Sequence, residues 1–251
     1  MIKQVSFKNG EGLILRGFVN EPKKYETAVI SLHGFPGSCE SKIQKRLLKN
    51  LGKLNYLTLI FDFSGSNKSQ GKFENKLMSK EVKDIKYAID FLCKNYKFKK
   101  LVLIGHSTGA IDASLYACKD KRINKLILSG AVSNLKHAAK YDFNDEQIKS
   151  FWEKGYIVYK WPGKWTHNKR IKKAFYDEFF TLDIPKAMKK YKKPLLIIHG
   201  EKDESVPLKN AKELYKLANK PKKLVVIKGA KHSYDNIKQF KQVVYHIKRF
   251  I

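Results

Sequence analysis

Two kinds of periodicity alternate along the chain. Residues 3–8 and 12–19 alternate apolar and polar positions, and Asn9-Gly10 between them is a strong turn signal, which predicts an antiparallel hairpin. From residue 27 the pattern changes. The runs at 27–32, 56–61, 101–104, 126–128, 195–199 and 224–227 are mostly apolar, as in strands buried on both faces. Between them, residues 41–54, 79–96, 107–118 and 209–217 read as helices, with apolar residues at helical spacing such as Ile43, Leu47, Leu48 and Leu51. Ser79 is the predicted N-cap of the second helix, and a last helix is predicted at 235–250. Strands alternating with helices imply parallel pairing through right-handed crossovers. The expected fold class is α/β: a mostly parallel, doubly wound sheet with an N-terminal antiparallel hairpin on one edge.

The rhythm breaks at residues 133–193. This interval holds all three tryptophans, Trp152, Trp161 and Trp165. It predicts a helix near 144–154, a hairpin around Trp161-Pro162-Gly163-Lys164 and one or two further helices. An insertion of this size suggests a lid over the carboxyl ends of the strands, where open α/β sheets keep their sites. An ordinary crossover decorated with helices is the plainer alternative. The chain is thus expected to divide into a core, 1–132 and 194–251, and a lid, 133–193.

Composition narrows the class. The 251 residues are 43% hydrophobic and 30% charged, which suits a packed domain and not a disordered chain. The apolar runs are too short to span a bilayer, and the N-terminal residues lack a signal peptide's apolar core. Cys39, Cys93 and Cys118 are far apart with no C-x-x-C spacing, so neither a disulfide framework nor a zinc site is indicated. A cytoplasmic location is expected. The charge is unusual, with 52 Lys+Arg against 23 Asp+Glu and a net of +29. Only Arg16, Arg46, Arg122, Arg170 and Arg249 are arginines, the residue preferred for bidentate reading of phosphate and guanine. The lysine excess therefore reads as a composition bias. It predicts nonspecific attraction to anionic surfaces and no specific nucleic-acid partner.

Gly105-His106-Ser107-Thr108-Gly109 is a G-x-S-x-G string between a predicted strand and a predicted helix. A tight turn there holds a serine in a strained conformation, with its hydroxyl clear of the sheet and beside a helix N-terminus. A serine nucleophile needs a base and the base an orienter. His232 follows the strand at 224–227, and Asp203 follows the strand at 195–199, so both reach the sheet edge that carries Ser107. Glu201 and Glu204 are rivals to Asp203 by proximity alone. His106 reads as packing and His199 as structural. The turn His33-Gly34-Phe35 after a central strand can aim a backbone N–H into the same site, which makes the amides of Phe35 and Thr108 the candidate oxyanion donors.

The ordered set His33-Gly34-Phe35, Asp62-Phe63-Ser64-Gly65, Gly105-His106-Ser107-Thr108-Gly109, His199-Gly200-Glu201-Lys202-Asp203 and Gly229-Ala230-Lys231-His232 resembles the α/β-hydrolase superfamily. Within it, the chain is similar to the cinnamoyl/feruloyl-esterase-like and monoacylglycerol-lipase-like serine hydrolases. The set spans the chain outside the insertion, where the family keeps a variable lid. One departure is Asn67, which stands at a position usually glycine in the D-x-x-G-x-G-x-S motif. Asparagine tolerates the left-handed conformation that such a loop needs, so the loop is expected to survive. Asp62 reads as structural.

The resemblance implies a serine hydrolase that cleaves small or medium acyl or aryl carboxylic esters through an acyl-enzyme, with Ser107, Asp203 and His232 as the triad. Its partner is a small-molecule ester, and it implies no metal or organic cofactor. Activity is expected to rise with pH as His232 gives up its proton. Aminopeptidase-like or thioesterase activity on the same triad is the alternative, and a non-catalytic binding protein of hydrolase fold the remote one. Trp152, Trp161 and Trp165 are candidate pocket residues.

Overall fold

The structure is a computed structural model that describes all residues, Met1–Ile251. The N-terminal hairpin is β1 (Ile2–Lys8) and β2 (Ile14–Asn20), paired antiparallel. There follow β3 (Thr27–Leu32), α1 (Lys42–Lys53), β4 (Leu57–Phe61), α2 (Met78–Asn95), β5 (Lys100–His106), α3 (Thr108–Ala117) and β6 (Ile123–Ser129). The inserted segment carries α4 (Leu135–Asp142), α5 (Asp145–Lys154), the short strands β7 (Tyr156–Val158) and β8 (Arg170–Lys172), α6 (Lys173–Thr181) and α7 (Ile184–Lys190). The chain closes with β9 (Leu195–Gly200), α8 (Lys209–Leu217), β10 (Lys222–Ile227) and α9 (Ile237–Phe250).

Eight strands form one sheet in the order β1-β2-β4-β3-β5-β6-β9-β10. The pairs β1–β2 and β2–β4 are antiparallel and the rest are parallel. Every residue of β3, β4 and β9 is buried, because helices cover both faces. Helices α1 and α9 close one face over Val29, Val102, Ile104, Leu196 and Ile198. Helices α2, α3 and α8 close the other, and α7 packs there against α3 and α8. The carboxyl ends of the parallel strands therefore meet at one edge, and the loops after β3, β5, β6, β9 and β10 converge there.

Two local readings are corrected. Helix α2 begins at Met78, and Ser79 lies inside it instead of capping it. The Ser79 N–H is met by the Glu178 carboxylate of α6 at 3.1 Å, so a side chain of the inserted segment does the work of a local cap. The hairpin of that segment is also wider than the Trp161-Pro162 turn suggested. Its strands pair at Tyr156–Lys172 and Val158–Arg170, and Trp161 and Trp165 both lie in the connecting loop.

Candidate active site

Ser107 stands between β5 and α3 with φ 57° and ψ −127°, a conformation that costs a residue with a side chain. The flanking glycines explain how the turn closes. A Cβ on Gly105 would lie 2.2 Å from the Gly109 carbonyl oxygen, and one on Gly109 would lie 2.6 Å from the carbonyl oxygens of Leu32 and His33. Only glycines let α3 fold back so tightly against β5 and β3. The Ser107 N–H is fixed by the Ser129 carbonyl at 2.9 Å.

Asp203 follows β9 and His232 follows β10. The His232 Nδ1–H donates to Asp203 Oδ2 at 2.7 Å. The other carboxylate oxygen accepts from the N–H groups of Ser205, at 3.0 Å, and Val206, at 2.8 Å. Burial pushes the Asp203 carboxyl upward, but the hydrogen bond and charge of His232 and the Val206 amide outweigh it, so it lies below the ordinary aspartate range. Asp203 is thus an ionised acceptor that fixes His232 with Nε2 facing away from it. Glu201 and Glu204 do other work: Glu201 accepts from the Gly229 N–H, and Glu204 pairs with Lys231. His199 donates Nε2–H to the Val206 carbonyl at 2.8 Å and is held neutral by burial.

The loop after β3 lies directly on the serine. A Cβ on Gly34 would be 2.7 Å from Ser107 Cβ and 3.2 Å from its Oγ. His33 shapes this loop as a neutral ring. Its Nδ1–H donates to the Gly34 carbonyl at 2.9 Å, and Nε2 accepts the Phe63 N–H at 3.4 Å. Burial, helped by the Lys76 ammonium, pushes His33 down to about 3. The Phe35 amide donates no hydrogen bond within the protein. The Thr108 amide is the first of α3 and has no partner inside the helix. Both candidate oxyanion donors are therefore uncommitted beside Ser107.

Ser107, His106, His232, Gly34 and Phe35 line a cleft of about 440 Å³, together with Trp161, Lys164, Trp165 and Thr166 of the inserted segment. Trp152 is not among these residues. Its side chain is 69% exposed under the Lys173 ammonium, 4.0 Å above the ring, because α5 turns that face to solvent. A second cavity of about 330 Å³, bounded by Arg16, Cys39, Asp62 and Lys68, contains no nucleophile–base pair. Asp62 there is satisfied by the Cys39 N–H at 2.7 Å and by Asn67 Nδ2 at 3.2 Å. Asn67 adopts φ 40°, the left-handed turn expected of it. No cluster of three or more His, Cys, Asp or Glu side chains is arranged to hold a metal.

Two neighbours of the dyad escape sequence reasoning. Gly130, just past β6, has φ 56°, and a Cβ there would lie 2.8 Å from His232 Cε1. A glycine at the active edge of a strand was the available signal. Asp142, at the end of α4, is the other, and its carboxyl feels the His232 ring. Its own surface meets solvent, but the protein crowding around it raises its carboxyl to about 6, with His232 opposing. No motif marks it.

A mostly parallel sheet with this strand order, and a serine turn facing an Asp–His pair across the strand ends, defines an α/β-hydrolase. The sequence profile of the family described as "Serine aminopeptidase, S33" matches residues 23–178, and the chain belongs to that family. Among solved structures, Est1E from Butyrivibrio proteoclasticus with ferulic acid bound is 27% identical. The match covers 98% of this chain and 97% of that one, with a TM-score of 0.83. An esterase from Pyrococcus furiosus, 24% identical over 100% and 90% of the two chains (TM-score 0.78), shares the fold. So does mouse alpha/beta hydrolase domain-containing protein 10, 17% identical over 98% and 97% (TM-score 0.78). A search of curated protein sequences gave no match. No helix is long and apolar enough to cross a membrane.

Proposed function

We propose that the protein is a serine esterase acting on carboxylic esters of small or medium acyl or aryl groups. The observation that carries this reading is the strained Ser107 turn opening on the same cleft as His232, whose other ring nitrogen is bound to ionised Asp203. In the reaction, His232 Nε2 takes the Ser107 hydroxyl proton as Oγ attacks the ester carbonyl carbon. The amides of Phe35 and Thr108 stabilise the tetrahedral oxyanion. His232 then gives its proton to the departing alkoxide, leaving an acyl-Ser107 ester. Water, deprotonated by His232, attacks that ester and releases the acid. Asp203 orients the ring and stabilises its imidazolium form.

The cleft walls favour an aryl or compact acyl group. Trp161 and Trp165 line it, and the Phe35 ring beside it stacks on Phe73 and Phe175. Ferulic acid, bound in the Est1E structure, has this character. The segment 133–193 serves as the lid, since its aromatic loop closes one side of the cleft. An aminopeptidase is the second reading, favoured by the family's description.

A fluorophosphonate probe tests the central claim. The wild type is expected to be labelled, and Ser107→Ala to lose both labelling and hydrolysis, by on the order of 10⁴-fold or more in kcat, with its fold intact. An unlabelled, well-folded wild type would remove the esterase reading. Turnover of p-nitroanilides in preference to p-nitrophenyl esters would move it to the peptidase.

A further inference from the structure

Next to His232, three side chains and a backbone carbonyl form a chain of hydrogen bonds that runs from His106 at the cleft into the core. Tyr234 Oη lies 3.3 Å from the Ile198 carbonyl oxygen, Ser129 Oγ lies 3.1 Å from Tyr234 Oη, and His106 Nδ1 lies 3.4 Å from Ser129 Oγ. Chemistry fixes the direction. A carbonyl only accepts, so Tyr234 donates to Ile198. Ser129 must then donate to Tyr234, and its oxygen is left to accept from His106 Nδ1–H. The His106 ring packs against the His232 ring, with centroids 4.8 Å apart.

The same few residues hold the backbone of both catalytic loops. The Ser129 carbonyl accepts the Ser107 N–H at 2.9 Å, and Gly130 N–H shares the Ile198 carbonyl at 3.1 Å. Tyr234 lies two residues after His232, is completely buried, and stands at φ 48°, which an aromatic residue adopts only when its surroundings impose it. Arg46 Nη1 holds its carbonyl at 3.1 Å.

We propose that Ser129 and Tyr234 are positioning residues that lock the Ser107 turn to the His232 loop and keep His106 as its Nδ1–H tautomer next to His232. The proposal rests on the reading of Ser107, Asp203 and His232 as the triad. Neither residue reaches the cleft. Each acts through another group: Ser129 through the Ser107 backbone and His106, Tyr234 through the loop that presents His232. Burial keeps His106 uncharged, at about 3, as this arrangement requires.

The test combines ring-nitrogen ¹⁵N NMR with kinetics on a p-nitrophenyl ester. In the wild type, His106 is expected to carry its proton on Nδ1. Tyr234→Phe removes the acceptor of the Ser129 hydroxyl, which can then turn to donate to His106 and move that proton to Nε2. The same variant and Ser129→Ala are expected to lower kcat by about threefold to tenfold, the worth of one hydrogen bond, with KM unchanged. Ser129→Thr, which keeps the hydroxyl, should restore most of the loss. A wild-type His106 protonated on Nε2 would overturn the proposal even if no variant folded. So would a drop in melting temperature with kcat intact, the signature of a merely structural role. Failure of the triad reading shows separately, as a wild type that the fluorophosphonate does not label.

Discussion

Gly130 is where a single atom decides the geometry of the site. A Cβ there would meet His232 Cε1 at 2.8 Å and Nδ1 at 3.1 Å, from a backbone at φ 56° that already disfavours a side chain. The ring cannot yield toward Asp203, because Nδ1 is already 2.7 Å from its carboxylate. Gly130→Ala is expected to displace the imidazole by a few tenths of an ångström or more and lower kcat on the order of 10²-fold. Circular dichroism should show the fold retained, and a normal kcat in Gly130→Ala would mean that His232 does not have to sit where the structure puts it. At this scale the sequence was informative wherever chemistry is local. Ser107 was legible because two glycines and a strand–helix boundary mark its turn. Asp203 was preferred to Glu201 and Glu204, and it is the one that meets His232. Gly130, Ser129 and Tyr234 were not legible, because their roles depend on contacts between residues about 100 positions apart in the chain, from Ser129 to Tyr234 and from Gly130 to His232.

At the scale of elements, the inserted segment packs a set of aromatic rings that is continuous with the main core and reaches the loops around Ser107. Phe143, Phe151, Tyr176 and Phe179 pack together, with Phe143 and Phe151 centroids 5.2 Å apart. Phe175, on the same helix α6, stacks on the ring of Phe35 at 4.4 Å, and Tyr159 approaches Phe35 edge-on. The loop with a candidate oxyanion amide thus leans on the inserted segment. Phe175→Ala is expected to cost about 3–5 kcal/mol of stability and also to lower kcat, since Phe35 loses its support. Trp161→Ala is the contrast. That ring is 45% exposed at the cleft, so stability should change by under about 1 kcal/mol while KM for an aryl ester rises. Equal effects of the two variants on kcat would refute this division of labour. The sequence predicted a helix near 144–154 and one or two more where the segment forms four, and it did not predict this coupling. Helical spacing identifies an apolar face without saying what covers it, and Glu178 reaching across to cap α2 shows the same limit.

For the whole molecule, the net charge of +29 and the buried titratable groups act on stability in different ways. Most ion pairs are exposed, such as Lys3–Glu21 and Lys99–Glu26, and pairs of that kind contribute little. The exception is Lys76–Glu81, fully buried with Ser66 Oγ 2.5 Å from the lysine nitrogen. Asp112 beside it is pushed far up by burial and by the Glu81 charge, so it stays protonated. Buried histidines set the acid limit more directly. His33 and His106 lie at about 3 in the fold against an ordinary 6.5. The unfolded chain therefore binds more protons than the fold between those values. The stability each contributes is complete above about 6.5 and is lost as the pH falls, by about 1.4 kcal/mol per unit for each ring. Asp142, raised to about 6, has the opposite sign and gains stability on acidification between 6 and its ordinary 3.8. Because these opposing slopes overlap, the wild-type curve alone does not isolate one residue, but a difference does. His33→Gln is expected to be less stable than the wild type at pH 7, since Gly34 and Phe63 lose their shared partner. That gap should narrow by about 2 kcal/mol between pH 6.5 and pH 5, because only the wild type bears the histidine's growing penalty. Urea unfolding of both proteins at the two pH values measures it directly. A constant gap would mean that His33 takes up its proton equally in the folded and unfolded chains, and that the loop over Ser107 tolerates an imidazolium.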